Sequence, residues 1–243
     1  MNHIVSNLKK VFPLTIPILT GYLVLGAAYG ILMDSKGYSV FIVLLSSTFI
    51  YAGSMQFLSV SLLASGFHPF YAVFMTLMVN ARYLFYGISL LSKFKGTGRL
   101  KYYLIYGITD ETFSLLCSTN ELNDNSPTVA TYNGKVDRNS FMLYVTLLNH
   151  IYWIVGSLIG YILNSILDFN TMGLDFVLTA LFVVIFIDKV REANEYLPFI
   201  IGIASSVVCR IIFGSNNFIL PTMISILVLV TVFRNKLGGG FES

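Results

Sequence analysis

Residues 69–92 read PFYAVFMTLMVNARYLFYGISLLS. The run is long enough to cross a hydrocarbon core, which takes about 20 apolar residues, yet Asn80 and Arg82 sit near its middle. A charged side chain at mid-bilayer costs about 2.5 to 3.5 kcal/mol on insertion scales, so it is kept where a function or a partner offsets that cost. On a regular helix Asn80 and Arg82 would point about 200° apart. Either the helix is distorted there or only one of the two lines a site.

The rest of the chain has the same character. Of 243 residues, 56% are apolar and 11% charged, against about 45 to 50% and 25% in soluble domains. This is the composition of an all-α polytopic membrane protein. The net charge of +3 makes no case for nucleic acid, and Lys and Arg serve instead as topology marks. Lys9 and Lys10 followed by the apolar run 11–33 resemble a signal peptide. The run is longer than an h-region, carries Pro13 and Pro17 and lacks a small-x-small cleavage site, so it is predicted to stay as the first transmembrane helix. Cys117 and Cys209 form no metal motif or disulfide framework and read as packing residues. There is no P-loop, no His-Glu-x-x-His and no Gly-x-Ser-x-Gly. No catalytic residue, metal or cofactor is predicted, and an enzyme is not.

Apolar segments fall at 11–33, 39–65, 69–92, 102–118, 139–163, 174–187, 196–213 and 217–233. Tyr51-Ala52-Gly53-Ser54 interrupts the second, and the sixth is too short to span, so both are predicted to be broken or re-entrant. If all eight crossed from a cytoplasmic N-terminus, the basic loop of Lys93, Lys95, Arg99 and Lys101 would lie outside. Letting segments two and six enter and leave on one side places that loop inside with Lys9, Lys10, Lys189, Arg191, Arg234 and Lys236. Lys36, Lys135 and Arg138 then lie outside. The expectation is six full spans, two re-entrant elements, cytoplasmic termini and an extracytoplasmic linker over 121–138.

Three motif pairs suggest an internal duplication. Tyr22-x3-Gly26-x3-Gly30 matches Tyr152-x3-Gly156-x3-Gly160, Pro69-Phe70 matches Pro198-Phe199, and Arg82-x-x-Phe85 matches Arg210-x-x-Phe213, at offsets of 130, 129 and 128 residues. The repeats would be residues 1–120 and 139–236, ahead of a flexible tail at 237–243. Three full spans per repeat, an odd number, predict that the second is inverted, each repeat having about three spans plus one broken or re-entrant helix. Chance recurrence of small and aromatic residues is the other explanation.

Broken helices expose backbone that lipid cannot satisfy, which makes a cavity or a binding site of the break. In Tyr51-Ala52-Gly53-Ser54-Met55-Gln56-Phe57, Gly53 would permit the break, Ser54 would cap the following half-helix and Gln56 would add an amide. Its N-terminal N–H groups suit an anion. The alternative is close helix packing by small residues. Arg82 offers a planar fork to a carboxylate, or else a buried ion pair that fixes helices. Asp110 and Glu111 supply the opposite sign. Adjacent acids repel and resist ionisation on burial, so one could carry a proton or hold an ammonium; in the other reading one neutralises Arg82 while its neighbour faces water. Asn149, His150 and Trp153 lie early in the fifth segment. There Asn149 is a candidate ligand, His150 a proton relay or polar end-group, and Trp153 first an interface anchor. Asp175 and Asp188 with Lys189 read as helix-terminus charges, and Arg210 as a second intramembrane arginine.

These segments in this order resemble the AzlC family of bacterial branched-chain amino acid exporters. The likeness covers nearly the whole chain and is most specific at Ala52 to Phe57, Val79 to Arg82 and Thr109 to Phe113. One departure is Tyr83, where many members carry histidine. The resemblance implies export of valine, leucine, isoleucine or analogues across a bacterial cytoplasmic membrane and a small AzlD-type partner subunit. In that setting Arg82 and the Gly53-Ser54 helix start would take the substrate carboxylate, with Gln56, Asn80 and Asn149 as further ligands. Asp110 or Glu111 would take the ammonium or a coupling proton. An ion or small-solute channel and a non-transporting membrane scaffold are the competing classes.

Overall fold

A computed structural model describes residues 2–64, 69–119, 126–167 and 196–233, with Leu122 and scattered positions from 176 to 191. Packing divides the chain into two compact units, Met1–Leu178 and Thr179–Ser243. Among the described residues three helices are long and apolar enough to cross a membrane, within Val5–Ser35, Arg138–Leu167 and Leu197–Gly214, or four with one bent pair counted as a single span.

The first unit is organised by two long helices, α1 (Asn2–Ser35) and α8 (Arg138–Leu167). Their contacts advance together along both chains. Thr15 Oγ1 meets Tyr152 OH at 2.9 Å and Asn164 Nδ2 donates to Asp34 Oδ2 at 2.8 Å. Between these points the two small-residue stripes interlock: a Cβ on Gly30 would fall 2.0 Å from Ser157 O, and one on Gly160 2.0 Å from Ala27 O. Such backbone approach is how helices associate where lipid removes the hydrophobic drive. The helices therefore run parallel, with the matched motifs facing one another.

Between them the chain makes two hairpins and one bent crossing. Helices α2 (Val40–Phe49) and α3 (Gly53–Ala64) form the first hairpin. Tyr51 turns it with φ of +43°, a left-handed conformation costly for an aromatic residue. The expectation that Gly53 makes the break is thus corrected: Gly53 opens α3, and its missing Cβ leaves room for the Trp153 ring, whose Cη2 would lie 3.1 Å away. The crossing is α4 (Pro69–Val79) and α5 (Ala81–Leu90), bent by 43° at Asn80. Of the two sequence readings, distortion is the one realised.

The fourth segment, expected as a full span, is instead a second hairpin. Helix α6 (Leu100–Tyr106) stops at Gly107, and α7 (Asp110–Ser118) restarts after Thr109, whose hydroxyl accepts from Thr112 N at 3.2 Å. Lys93, just before α6, donates to Leu116 O near the end of α7 at 2.9 Å. A straight helix over that stretch would separate those groups by more than 20 Å at about 1.5 Å per residue. With α6 and α7 doubled back, the chain from α1 to α7 crosses twice, and an even number returns it to its starting face. This is why α8 runs beside α1 in the same direction, and the expected inversion is corrected for this pair.

The linker holds a β-hairpin that periodicity did not reveal, β1 (Thr128–Thr131) with β2 (Gly134–Asp137), antiparallel with Thr131 opposite Gly134. Its sequence signal is Asn133-Gly134. Lys10 Nζ donates to Lys135 O at 3.1 Å, Asn133 Nδ2 to Lys9 O at 3.3 Å, and Arg138 to Lys93 O at 3.0 Å. The linker and its cations therefore share one end with Lys9, Lys10 and Lys93, contrary to the opposite faces expected.

In the second unit, α9 (Leu197–Asn217) starts with Pro198 in its first turn and breaks at Gly214, where φ is +73°. It is followed by α10 (Ile219–Val232), 14 residues long and shorter than a span. The predicted break of segment six, Asp175, Asp188, Lys189 and the tail 237–243 lie outside the described residues.

Candidate functional site at the hairpin tips

The hairpins enter from opposite ends. The mouth of α2–α3 lies with the C-terminal end of α1 and the start of α4: Met33, Ile42, Leu63 and Pro69 line one cavity. The mouth of α6–α7 lies beside Lys93 and Arg138. Both tips reach the middle of α8, where Tyr51 packs on His150 with ring centroids 4.4 Å apart. A Cβ on Gly107 would fall 2.2 Å from Thr146 Cγ2.

Arg82 joins the tips. Its Nη1 lies 2.8 Å from Asp110 Oδ2 in the first turn of α7, and its Nη2 donates to Ser54 Oγ at 3.1 Å in the first turn of α3. Ser54 is thus an acceptor for arginine within α3, where the sequence suggested a helix cap. Gln56 N donates to Ala52 O, so the N–H groups of Gly53, Ser54 and Met55 precede the first intrahelical bond at the tip. Two positive helix ends therefore converge on one cation and one acid, an arrangement ready for an anion. Arg82 and Asp110 keep 29% and 27% of their surface, so a ligand can reach the pair. Arg82 Nε is buried without a partner.

Asp110 also accepts from Tyr86 OH at 2.8 Å. Glu111 does not simply face water: Tyr22 OH lies 2.6 Å from Glu111 Oε2 and 2.7 Å from Thr109 Oγ1. Both acids occupy the first turn of α7, where the helix dipole favours negative charge. Asn149 Nδ2 donates to Thr112 Oγ1 at 3.0 Å, and its buried Oδ1 is unpartnered. Asn80 Oδ1 at the α4–α5 bend is likewise buried and unpartnered.

Gln56 belongs to the scaffold around the site. It is fully buried, accepts from Trp153 Nε1 at 2.9 Å and donates to Ser47 Oγ at 3.3 Å. That overturns Trp153 as an interface anchor, since it lies 4% exposed among Tyr22, Tyr29 and Gln56. His150 is also no end-group; it is buried between the tips. Arg210 is exposed, with its guanidinium 6.0 Å from the Phe218 ring centroid. Cys117 and Cys209 are free. Beside the first hairpin lies an apolar cavity of about 550 Å³, walled by Met33, Ile42, Ile50, Met55, Ala72 and Leu77. Sequence reasoning missed Tyr22, Tyr86 and Tyr51 as site residues. Tyr22 had been visible only as the head of a glycine motif.

This pairing of hairpin tips around an arginine is carried by the segments that align with known proteins. The sequence profile described as AzlC protein matches residues 17–167, from α1 through α8. The chain belongs to the AzlC family. Within and near the family it is 46% identical to the branched-chain amino acid transport protein AzlC of Bacillus subtilis, over 97% of this chain and 89% of that one. It is 37% identical to an uncharacterized membrane protein of Helicobacter pylori strain J99, over 98% and 99%. It is 28% identical to the inner membrane protein YgaZ of Escherichia coli, over 60% and 56%. No solved structure matches. The AzlC profile covers every hairpin residue named above, so the site lies within the part of the chain the family shares. With its apolar spans, the chain is a multi-pass helical membrane protein.

Proposed function

We propose that this chain is a secondary transporter that exports branched-chain or similar hydrophobic amino acids, coupled to protons. The observation that carries the reading is Arg82, held between the first turns of two half-helices that enter from opposite ends. A zwitterion in a dry site needs both signs, because each unpaired charge would cost its desolvation. The substrate carboxylate takes Arg82 and the free N–H groups of α3, displacing Asp110 from the guanidinium. Asp110 or Glu111 then takes the ammonium, or a proton when the site is empty. The apolar cavity beside α3 receives the aliphatic side chain. Since each tip belongs to a different hairpin, moving one against the other opens the site to one face at a time.

The relative from Bacillus subtilis, named for branched-chain amino acid transport, supports the substrate class. The cluster of Lys9, Lys10, Lys93, Lys135 and Arg138 at one end supports a cytoplasmic face there by the positive-inside rule, with the N-terminus and the linker 121–138 inside. In the duplication of 1–120 and 139–236, the matched first helices α1 and α8 run parallel. The membrane is the bacterial cytoplasmic membrane, and an AzlD-type small subunit is the partner to co-express.

Counterflow of labelled valine in proteoliposomes tests the reading. Saturable counterflow, competed by leucine and isoleucine but not by lysine or glutamate, is the expected result. Voltage-driven current without counterflow would replace it with a channel, and no solute flux with or without the partner would leave a scaffold.

A further inference from the structure

We infer that His150 is a proton-binding site that latches the two hairpin tips together; its part in coupling rests on the transporter reading above. His150 is 8% exposed midway along α8. Its Nε2 lies 3.2 Å from Thr48 O in the last turn of α2, and its Nδ1 3.2 Å from Tyr103 OH on α6. A carbonyl oxygen only accepts, so Nε2 carries hydrogen. That fixes the neutral tautomer and makes Nδ1 the acceptor of the Tyr103 hydroxyl.

The titratable groups facing the ring are phenols: Tyr51 from the first tip, with Tyr103 and Tyr106 from α6. Helix α2 contributes the Thr48 carbonyl, which Tyr106 OH also reaches. Among the described residues no carboxylate lies within ion-pair distance of the imidazole. Its compensation comes from backbone, because Thr48 O lies in the last turn of α2, the negative end of that helix. The tips therefore sort charge: the helix starts of α3 and α7 gather an anion at Arg82, and the helix end of α2, with the Tyr103 hydroxyl of α6, gathers a cation at His150.

A proton arriving from water at Nδ1 turns the Tyr103 hydroxyl from donor to acceptor. It also makes both contacts charge-assisted, which roughly doubles a hydrogen bond's strength. Helix α2 belongs to one hairpin and α6 to the other, so the imidazolium ties together the two elements that must part. Loss of the proton returns both contacts to ordinary hydrogen bonds and loosens the tie.

The test uses the full-length protein in detergent with isotope-labelled histidine, titrated by NMR between about pH 5 and 8. The chain has three histidines, His3, His68 and His150, and the resonance missing from His150→Gln assigns the third. An Nε2–H tautomer that protonates within that range, with a midpoint moved in Tyr103→Phe, is expected. In proteoliposomes His150→Gln, which keeps one donor and one acceptor, should lower gradient-driven valine efflux by about tenfold or more and flatten its pH dependence. An Nδ1–H tautomer, an imidazole that does not titrate, or a wild-type pH profile in His150→Gln would overturn the latch. Should the glutamine variant fail to fold, an unmoved pH profile in Tyr103→Phe would overturn it equally. A titrating His150 in a wild-type protein that moves no valine would sink the transporter reading and leave the latch standing.

Discussion

Arg82 and Asp110 face one another at 2.8 Å across the tips of two elements, α5 and α7, that approach by different routes, and Ser54 of a third shares the same guanidinium. A pair placed so could serve only to hold helices, or could be the resting state of a binding site. The two roles separate by experiment.

Arg82→Gln leaves Asp110 with Tyr86 alone and should both lower thermal stability and abolish valine flux. Charged partners contribute about 1.5 to 3 kcal/mol each when hydrogen-bonded, before discounting for the partial exposure of this pair. The double variant Arg82→Gln with Asp110→Asn should regain much of that stability, as coupled sites do, and none of the flux. Recovery of flux along with stability would reduce the pair to a structural brace.

Tyr22→Phe removes the hydroxyl that Glu111 and Thr109 share. Valine flux should fall by about tenfold, in keeping with a charge-assisted hydrogen bond. Glu111→Gln should depress gradient-driven efflux more than exchange. Equal losses in both modes would place Glu111 in substrate binding alone.

Glycine positions on α1 give a graded test of the parallel α1–α8 interface. Gly30→Ala meets backbone at 2.0 Å, whereas Gly21→Ala meets nothing within 4 Å. Thermal unfolding should show Gly30→Ala destabilised by about 1 to 3 kcal/mol or misfolded, with Gly21→Ala neutral or slightly stabilised. Equal behaviour would remove the interface.

Topology has its own check. Single cysteines at Lys10 and Lys135 should react with a membrane-impermeant maleimide from the same side, the cytoplasmic one, and a cysteine at Lys36 from the other. Labelling of positions 10 and 135 from opposite sides would restore an extracytoplasmic linker.

Apolar runs, their breaks and the family motifs were legible in sequence because composition and periodicity record burial in lipid. Tyr51-Ala52-Gly53 announced the first hairpin. The second was hidden, since Gly107-Ile108-Thr109 lies in a run whose total length suits a single span, and a hydropathy window cannot see a chain double back. That one miscount changed an even number of crossings to an odd one and reversed the expected direction of α8. Arg82, Asp110 and Glu111 stood out as charges among apolar residues. Tyr22 and Tyr86 did not, because polar aromatic residues are common in such helices and only the contact across 89 or 24 positions reveals their partners. His150 was legible as a relay candidate, but not its partner 102 positions away. Trp153 misled for the same reason, its indole N–H being satisfied by Gln56 far away in sequence.

The most direct test of the account is labelled-valine counterflow in proteoliposomes comparing wild type with Arg82→Lys. Lysine keeps the charge but cannot reach Ser54 and a carboxylate with one planar fork. The account predicts saturable counterflow in wild type and a loss of about 100-fold in Arg82→Lys, with the variant still folded by gel filtration. Wild-type counterflow in Arg82→Lys would contradict the placement of the substrate at the hairpin tips.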